Sequence, residues 1–293
     1  MTMARQNLIL ALGVVSVSFA AIFIRLAEAP ALVIATYRLC LASLFVGPAA
    51  WIHSKQELLY LAKNNLTPTL VSGAFLALHF ALWIASLSYT TVASSVVLVT
   101  INPVFVALAS YFLFHEKLNK QTILGIGVCF IGAILISYGD WRVGPRPLFG
   151  DLLALLGALA IAGYFLIGRK LRQTTGLLSY ACLVYGSAAL ALLASTLAFG
   201  YRLFGYSTTT YVMFGLLALV PQLLGHLSLN WSLRFVSATL VATAVLGEPV
   251  GATALAFVML GEVPTISQIA GGILVLVGIF VALRKTKPQM GQR

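Results

Sequence analysis

Residues 99–118, VTINPVFVALASYFLFHEKL, and residues 244–263, AVLGEPVGATALAFVMLGEV, decide the fold of this chain, because the second stretch repeats the first. Pro103 recurs as Pro249 and Glu116 as Glu262, both at a spacing of 146 residues in a chain of 293. The same spacing relates three further pairs, which are Ile123 with Ile269, Gly125 with Gly271 and Gly132 with Gly278. The sequence therefore predicts two similar structural units, residues 1–145 and 146–293.

The composition excludes a water-soluble protein. Hydrophobic residues make up 60% of the chain and charged residues only 9%, and the mean hydropathy is +1.01. Soluble domains contain about 25% charged residues, so this chain has too few to cover a surface in water. The net charge of +11 would suggest nucleic acid in a soluble protein, but here the basic residues lie in short loops and indicate membrane orientation. We expect no nucleic-acid partner.

Ten apolar stretches are predicted to cross the membrane, since a span needs roughly 20 residues. Each half contains five spans, and because five is odd the halves would lie in opposite orientations. We therefore expect an all-α integral membrane fold of ten transmembrane helices in two inverted five-helix repeats, an arrangement typical of secondary transporters. The predicted spans are residues 7–26, 31–52, 68–89, 92–114, 121–138, 149–169, 177–199, 210–232, 236–260 and 265–284.

The distribution of basic residues predicts the orientation. With the N-terminus inside, cytoplasmic segments hold 13 of the 18 Lys and Arg residues, including the loop group Arg169, Lys170 and Arg172, whereas outer segments hold four and Arg38 lies within a span. Positive charge favours the cytoplasmic side. We expect a multi-pass protein of the bacterial inner membrane with both termini in the cytoplasm.

These features resemble the EamA family of the drug/metabolite transporter superfamily, over essentially the whole chain. The residues that carry the resemblance are Asn102-Pro103 with His115-Glu116, and Glu248-Pro249 with Gly261-Glu262. His115 replaces the usual Gly at a loop position. Length and loop pattern are most similar to the YddG-type aromatic amino-acid exporters. The resemblance implies a central cavity lined by spans one, three, four, six, eight and nine, and alternating opening to the two sides.

Two prolines and one acid mark the middle of the membrane. Pro103 and Pro249 each free the carbonyl four residues earlier, which favours hinges; the alternative is a kink that only shapes packing. Glu248 lies roughly 16 Å along its helix, where an acid costs on the order of 2.5–3.5 kcal/mol and usually serves a pathway. It is predicted to bind a substrate ammonium group or a proton, the alternative being a protonated structural tie. Asn102 is the counterpart and cannot titrate.

Polar and aromatic residues mark the third and eighth spans. Gln222, His226 and Asn230 are spaced i, i+4 and i+8, which places them on one face of a helix. His79 and Trp83 are spaced i, i+4 in the third span. Together they suit a zwitterionic substrate with an apolar side chain. The alternative is that they tie membrane helices together by hydrogen bonds.

Two further intramembrane residues have open interpretations. Tyr164 is predicted either to add an aromatic wall to the substrate site or to pack in the ordinary way. Arg38 is expected to form a structural ion pair with Glu28 at the outer rim or to extend its side chain to the interface, although an intramembrane arginine is a functional candidate by default.

We expect a secondary transporter that exports amino acids or related small metabolites by alternating access, with a small molecule and the bilayer as partners. The alternatives are a drug or other metabolite exporter, a passive channel, and a membrane-embedded enzyme acting on a lipid-linked substrate. The chain lacks the G-x-x-x-x-G-K-[ST] motif of ATP hydrolysis and the H-E-x-x-H and G-x-S-x-G motifs of hydrolases. We therefore expect no enzyme, cofactor or metal, and a monomer.

Overall fold

The computed structural model describes residues 3–114, 120–140, 145–236 and 238–283, and every regular element within these ranges is a helix. The first half of the chain contains α1 (Met3–Ser18), α2 (Ala20–Leu26), α3 (Ala31–Asn64), α4 (Leu66–Ser86), α5 (Val92–Val99), α6 (Asn102–Phe114) and α7 (Lys120–Asp140). The second half contains α8 (Pro147–Arg172), α9 (Leu177–Ala198), α10 (Thr208–Leu217), the π-helix π1 (Ala218–His226), α11 (Leu227–Ser232), α12 (Ala238–Ala244), α13 (Gly247–Leu260) and α14 (Ile266–Leu283).

The helices form a multi-pass membrane protein. Among the described residues, seven helical segments are long and apolar enough to cross a membrane, and three shorter apolar helices cover Ile123–Ile136, Gly247–Leu260 and Ile266–Val281. Large apolar side chains face outward, for example Ile52 at 74% and Val258 at 78% exposure, which is favourable only against lipid. The predicted all-helical membrane fold is confirmed, whereas the ten-span count and the inversion stay predictions.

The helix that contains the second predicted span continues beyond the end of that span. We expected it to end near residue 52, but α3 continues to Asn64 with a kink at Ser54, whose backbone is non-helical (φ −145°, ψ 28°). Beyond the kink Leu58 and Leu61 are buried. A polar stretch with apolar residues at helical spacing forms an amphipathic helix, and that pattern explains the extension.

Both prolines of the repeat follow a break in a helix. α5 ends at Val99 and α6 begins at Asn102, while α12 ends at Ala244 and α13 begins at Gly247. The Asn102 amide donates to the Val99 carbonyl at 3.3 Å, which partly satisfies the group that Pro103 leaves free. In the second half the Glu248 N–H donates to the Val245 carbonyl at 2.8 Å. Each break therefore places irregular backbone inside the bundle, where protein groups satisfy it.

The glycine-rich α7 and α14 pack against each other at backbone distance. A Cβ atom on Gly132 would lie 2.7 Å from the Gly271 carbonyl oxygen, and one on Gly278 would lie 2.8 Å from that of Gly125. The repeat relates these two contacts to each other, because Gly132 corresponds to Gly278 and Gly271 corresponds to Gly125 at the spacing of 146 residues. The two helices run antiparallel and are related in the way the sequence repeat relates them. The repeat residues His115 and Glu116 lie outside the described residues.

Candidate functional site

A cavity lies between the helix breaks. The unfilled space is about 430 Å³, of which about 30 Å³ admits the centre of a water molecule. The cavity thus has room for a few waters in this conformation and must widen before it takes an amino acid. Its lining consists of residues from seven predicted spans: Val17, Ala20, Arg38, His79, Trp83, Val99, Thr100, Asn102, Ile161, Phe165, His226, Leu229, Val245 and Glu248.

Five of the predicted site residues line this cavity, namely His79, Trp83, Asn102, His226 and Glu248. The six spans implied by the family resemblance all contribute, and the second span adds Arg38. The prolines themselves are not in the lining, but the broken backbone before each of them is. The structure therefore brings Glu248 and its counterpart Asn102 together with His79 and His226.

Aromatic rings form one wall of the cavity. The His79 ring stacks on Trp83 with centroids 5.8 Å apart and an interplanar angle of 10°, and the His226 ring meets Phe80 edge-on at 5.3 Å. The Nδ1–H of His79 donates to the Gly157 carbonyl at 3.0 Å. Since a carbonyl only accepts, this bond fixes the tautomer of His79 and its ring orientation.

Polar atoms without protein partners are concentrated here. Within the described part of the chain, the buried atoms with no hydrogen bond include Trp83 Nε1, Asn102 Oδ1, His226 Nδ1 and both terminal nitrogens of Arg38. Buried polar groups in folded proteins are nearly all hydrogen-bonded. A group of such atoms around one cavity indicates a site for water or a polar ligand.

The other three predicted site residues lie outside the cavity lining, in a network of hydrogen bonds. Tyr164 donates to Asn230 Oδ1 at 2.6 Å, and the Asn230 amide donates to the Tyr185 hydroxyl at 3.1 Å. Gln222 Oε1 accepts from Arg38 Nε at 2.8 Å. Gln222 and His226 lie on π1, which contains Pro221, whereas Asn230 lies on α11. All three side chains are buried. Only His226 of the three reaches the cavity.

Two arginines have positions that the sequence analysis did not predict. Arg38 was expected to pair with Glu28 at the rim, but its side chain is fully buried and contacts Gln222 instead. Arg172 was counted as a loop charge, yet it is 1% exposed and donates to the backbone carbonyls of Asn230 and Thr175. The default that an intramembrane arginine is functional would have pointed to Arg38.

Separate polar contacts join helices near the two ends of α3. At one end Arg25 Nη2 lies 3.1 Å from Glu262 Oε1 and donates to the Thr90 carbonyl at 2.9 Å. Glu262 Oε2 accepts from the Val92 N–H at 2.9 Å. We call these contacts the Glu262 latch; they join the ends of α2 and α13 to the start of α5.

Near the opposite end of α3, the carboxylate of Glu57 also joins two helices. Its Oε1 accepts from the Gly176 N–H at 2.6 Å and its Oε2 from the Ser179 hydroxyl at 2.8 Å. Glu57 thus joins the extension of α3 to the start of α9. The cavity lies between these two sets of contacts.

An apolar groove opens on the outside of the bundle between α5, α13 and α14. About 520 Å³ of it admits the centre of a water molecule, and its lining includes Val97, Pro249, Phe257 and Ile273. Phe257 and Ile273 are each 56% exposed. The groove therefore faces the hydrocarbon core.

A family model agrees with this architecture. The model of the "EamA-like transporter family" matches the chain twice, over residues 5–138 and 148–284. The chain belongs to the EamA-like transporter family. A crystal structure of a protein that is 18% identical covers 96% of this chain and 97% of its own, with a TM-score of 0.69, which shows that the fold is shared.

Relatives of this EamA-like chain are described as transporters. An "Uncharacterized transporter" of Archaeoglobus fulgidus is 25% identical over 96% of this chain and 98% of its own length. One of Clostridium kluyveri is 24% identical over 84% and 81%. The "Probable 4-amino-4-deoxy-L-arabinose-phosphoundecaprenol flippase subunit ArnE" of Hamiltonella defensa is 32% identical, over 35% of this chain and 96% of its own. The resemblance to YddG-type exporters stays a prediction.

Proposed function

We propose that this EamA-like protein is a secondary transporter that exports amino acids or related small metabolites across the bacterial inner membrane. The observation that carries the proposal is the cavity between the two helix breaks, whose lining combines Glu248 and polar atoms without partners with the aromatic rings of His79 and Trp83. Glu248 makes no ion pair or side-chain hydrogen bond within the described residues, so its carboxylate is free to bind an ammonium group or a proton.

Alternating access would require each end of the cavity to open in turn. The Glu262 latch would close the outer end and the Glu57 contacts the cytoplasmic end, if both termini lie in the cytoplasm as the charge distribution predicts. The helix breaks before Pro103 and Pro249 would then act as hinges between the two states. The symmetry-related contacts of α7 and α14 support an inverted repeat, whose halves would be residues 1–145 and 146–293. The working unit would be the monomer.

The test is uptake by the purified protein in liposomes. Each of the twenty labelled amino acids is offered with and without a pH gradient, and counterflow is measured for those taken up. We expect saturable uptake and stimulation by substrate on the opposite side. A well-folded preparation that moves no amino acid would overturn the proposal, movement of drugs or other metabolites instead would favour the broader exporter function, and non-saturating flux would indicate a channel.

A second candidate function is movement of a lipid-linked molecule. It is favoured by the apolar groove of about 520 Å³ beside α13, whose lining suits an acyl or isoprenoid chain, and by the similarity to a flippase subunit over about a third of the chain. Transfer of a fluorescent lipid-linked sugar between leaflets would support it. Conversion of that lipid to a new product would instead favour a membrane-embedded enzyme.

A further inference from the structure

The side chain of Arg38 is held in a fixed orientation from the side away from the cavity. Arg38 is 0% exposed and lies on α3, in the second span. Its Nε donates to Gln222 Oε1 at 2.8 Å, and its guanidinium carbon lies 4.1 Å from the centre of the Phe80 ring. The amide and the ring together restrict both the position and the plane of the guanidinium group.

The other end of this guanidinium is unsatisfied. Its two terminal nitrogens have no hydrogen-bond partner in the described part of the chain, and Arg38 lines the cavity. A buried arginine that lacks an acid partner is costly. Glu248 lines the same cavity, but within the described residues its carboxylate makes no ion pair with Arg38. Arg25, by contrast, pairs with Glu262.

The cavity therefore contains a basic group and an acidic group that do not pair with each other and that are complementary to the two charges of a zwitterion. Arg38 and the indole N–H of Trp83 are donors without partners, whereas Asn102 Oδ1 is an acceptor without a partner and Glu248 adds a carboxylate. A guanidinium fork binds a planar carboxylate through two parallel hydrogen bonds.

We propose that Arg38 receives the carboxylate of the transported molecule while Glu248 binds its amino group. This inference rests on the proposed transport function and narrows it, because the substrate must then carry an acid group as well as an amine. Amines of the same shape that lack the acid group would leave the Arg38 fork unpaired in the bound state.

The experiment uses competition in the same liposomes. The amino acid with the highest uptake is labelled, and its own amide and its decarboxylated amine are added as unlabelled competitors. We expect both to compete at least about tenfold more weakly than the amino acid, since a hydrogen bond to a charged group is lost. Equal competition by all three would overturn the role of Arg38 while leaving transport itself established; no uptake of any amino acid would mean that the proposed function has failed first.

Variants separate an anion site from general packing. In Arg38→Gln the discrimination between the amino acid and its amine should fall to within about threefold, and Arg38→Lys, which keeps the charge without the fork, should lie between. Arg172→Gln is the matched control, because Arg172 is also buried but does not line the cavity, and its Nε and Nη1 donate to backbone carbonyls. It should keep the wild-type discrimination even if total uptake falls. Unchanged discrimination in a folded Arg38→Gln protein would refute the inference; if that variant does not fold, the wild-type competition and Arg38→Lys still decide.

Discussion

Replacing Glu262 by Gln should shift the protein toward a state that is open at the Glu262 end of the bundle, which we propose is the outer end. In the structure Glu262 Oε1 lies 3.1 Å from Arg25 Nη2, and Oε2 accepts from the Val92 N–H at 2.9 Å. The amide of Gln keeps an oxygen acceptor of nearly the same shape. It removes the ion pair and makes the bond to Val92 a neutral one, so the latch is weakened without a cavity being created.

The size of the shift follows from the exposure of the pair. The Arg25 and Glu262 side chains are 31% and 27% exposed, so solvent screens their attraction and the ion pair contributes no more than about 1 kcal/mol. The weaker hydrogen bond to Val92 adds roughly 0.5 kcal/mol. If both contacts are lost when the outer end opens, the ratio of open to closed protein should rise about tenfold.

The assay is labelling of a cavity cysteine from outside the cell. Thr100 lines the cavity and is 1% exposed, so Thr100→Cys, in a background without native cysteines, reports on opening through its reaction rate with a membrane-impermeant maleimide. Glu28→Gln is the control, because Glu28 is an exposed acid at the same end that makes no ion pair within the described residues. Equal labelling rates in the Glu262→Gln and Glu28→Gln proteins would refute the latch.

Three further predictions concern the cavity and the packing. Glu248→Gln should lower uptake at least about tenfold in a folded protein, measured in liposomes, because an amide binds an ammonium group or a proton poorly; unchanged uptake and pH dependence would remove Glu248 from the site. Gly132→Ala should destabilise the protein by about 1–3 kcal/mol in thermal unfolding, since the added Cβ would lie 2.7 Å from a backbone oxygen of α14. The control is Gly127→Ala on the same helix, which should not destabilise the protein because its Cβ would meet nothing within 4 Å. Tyr164→Phe should cost about 1–2 kcal/mol by removing the 2.6 Å bond to Asn230, and an unchanged melting temperature would contradict that role.

The sequence predicted the helices better than it predicted the surroundings of single residues. The 146-residue repeat pointed to Pro103 and Pro249, which lie beside two helix breaks, because proline removes a backbone hydrogen bond of a helix. The predicted end of the second span, near residue 52, lies close to the kink at Ser54. The amphipathic extension beyond the kink was not predicted, since a length rule for spans does not describe helix outside the membrane. The spacing of Gln222, His226 and Asn230 predicted a shared face, and all three side chains are buried. Spacing alone does not show which of them line a cavity and which bond to neighbouring helices, because that depends on how those helices pack.

The sequence by itself determined that this chain is a helical membrane protein with two similar halves and an acid, Glu248, within an apolar stretch; the structure places that acid in the first turn of α13, after a helix break. Those properties follow from composition, from the length of the apolar stretches and from the chemistry of neighbouring residues, none of which depends on how distant parts of the chain pack. Only the tertiary structure decided that Arg38 is buried beside Gln222 and Phe80 and shares a cavity with Glu248. Residues 210 positions apart meet through the rotation and depth of whole helices, which are set by the packing of every neighbour and by no single stretch of sequence.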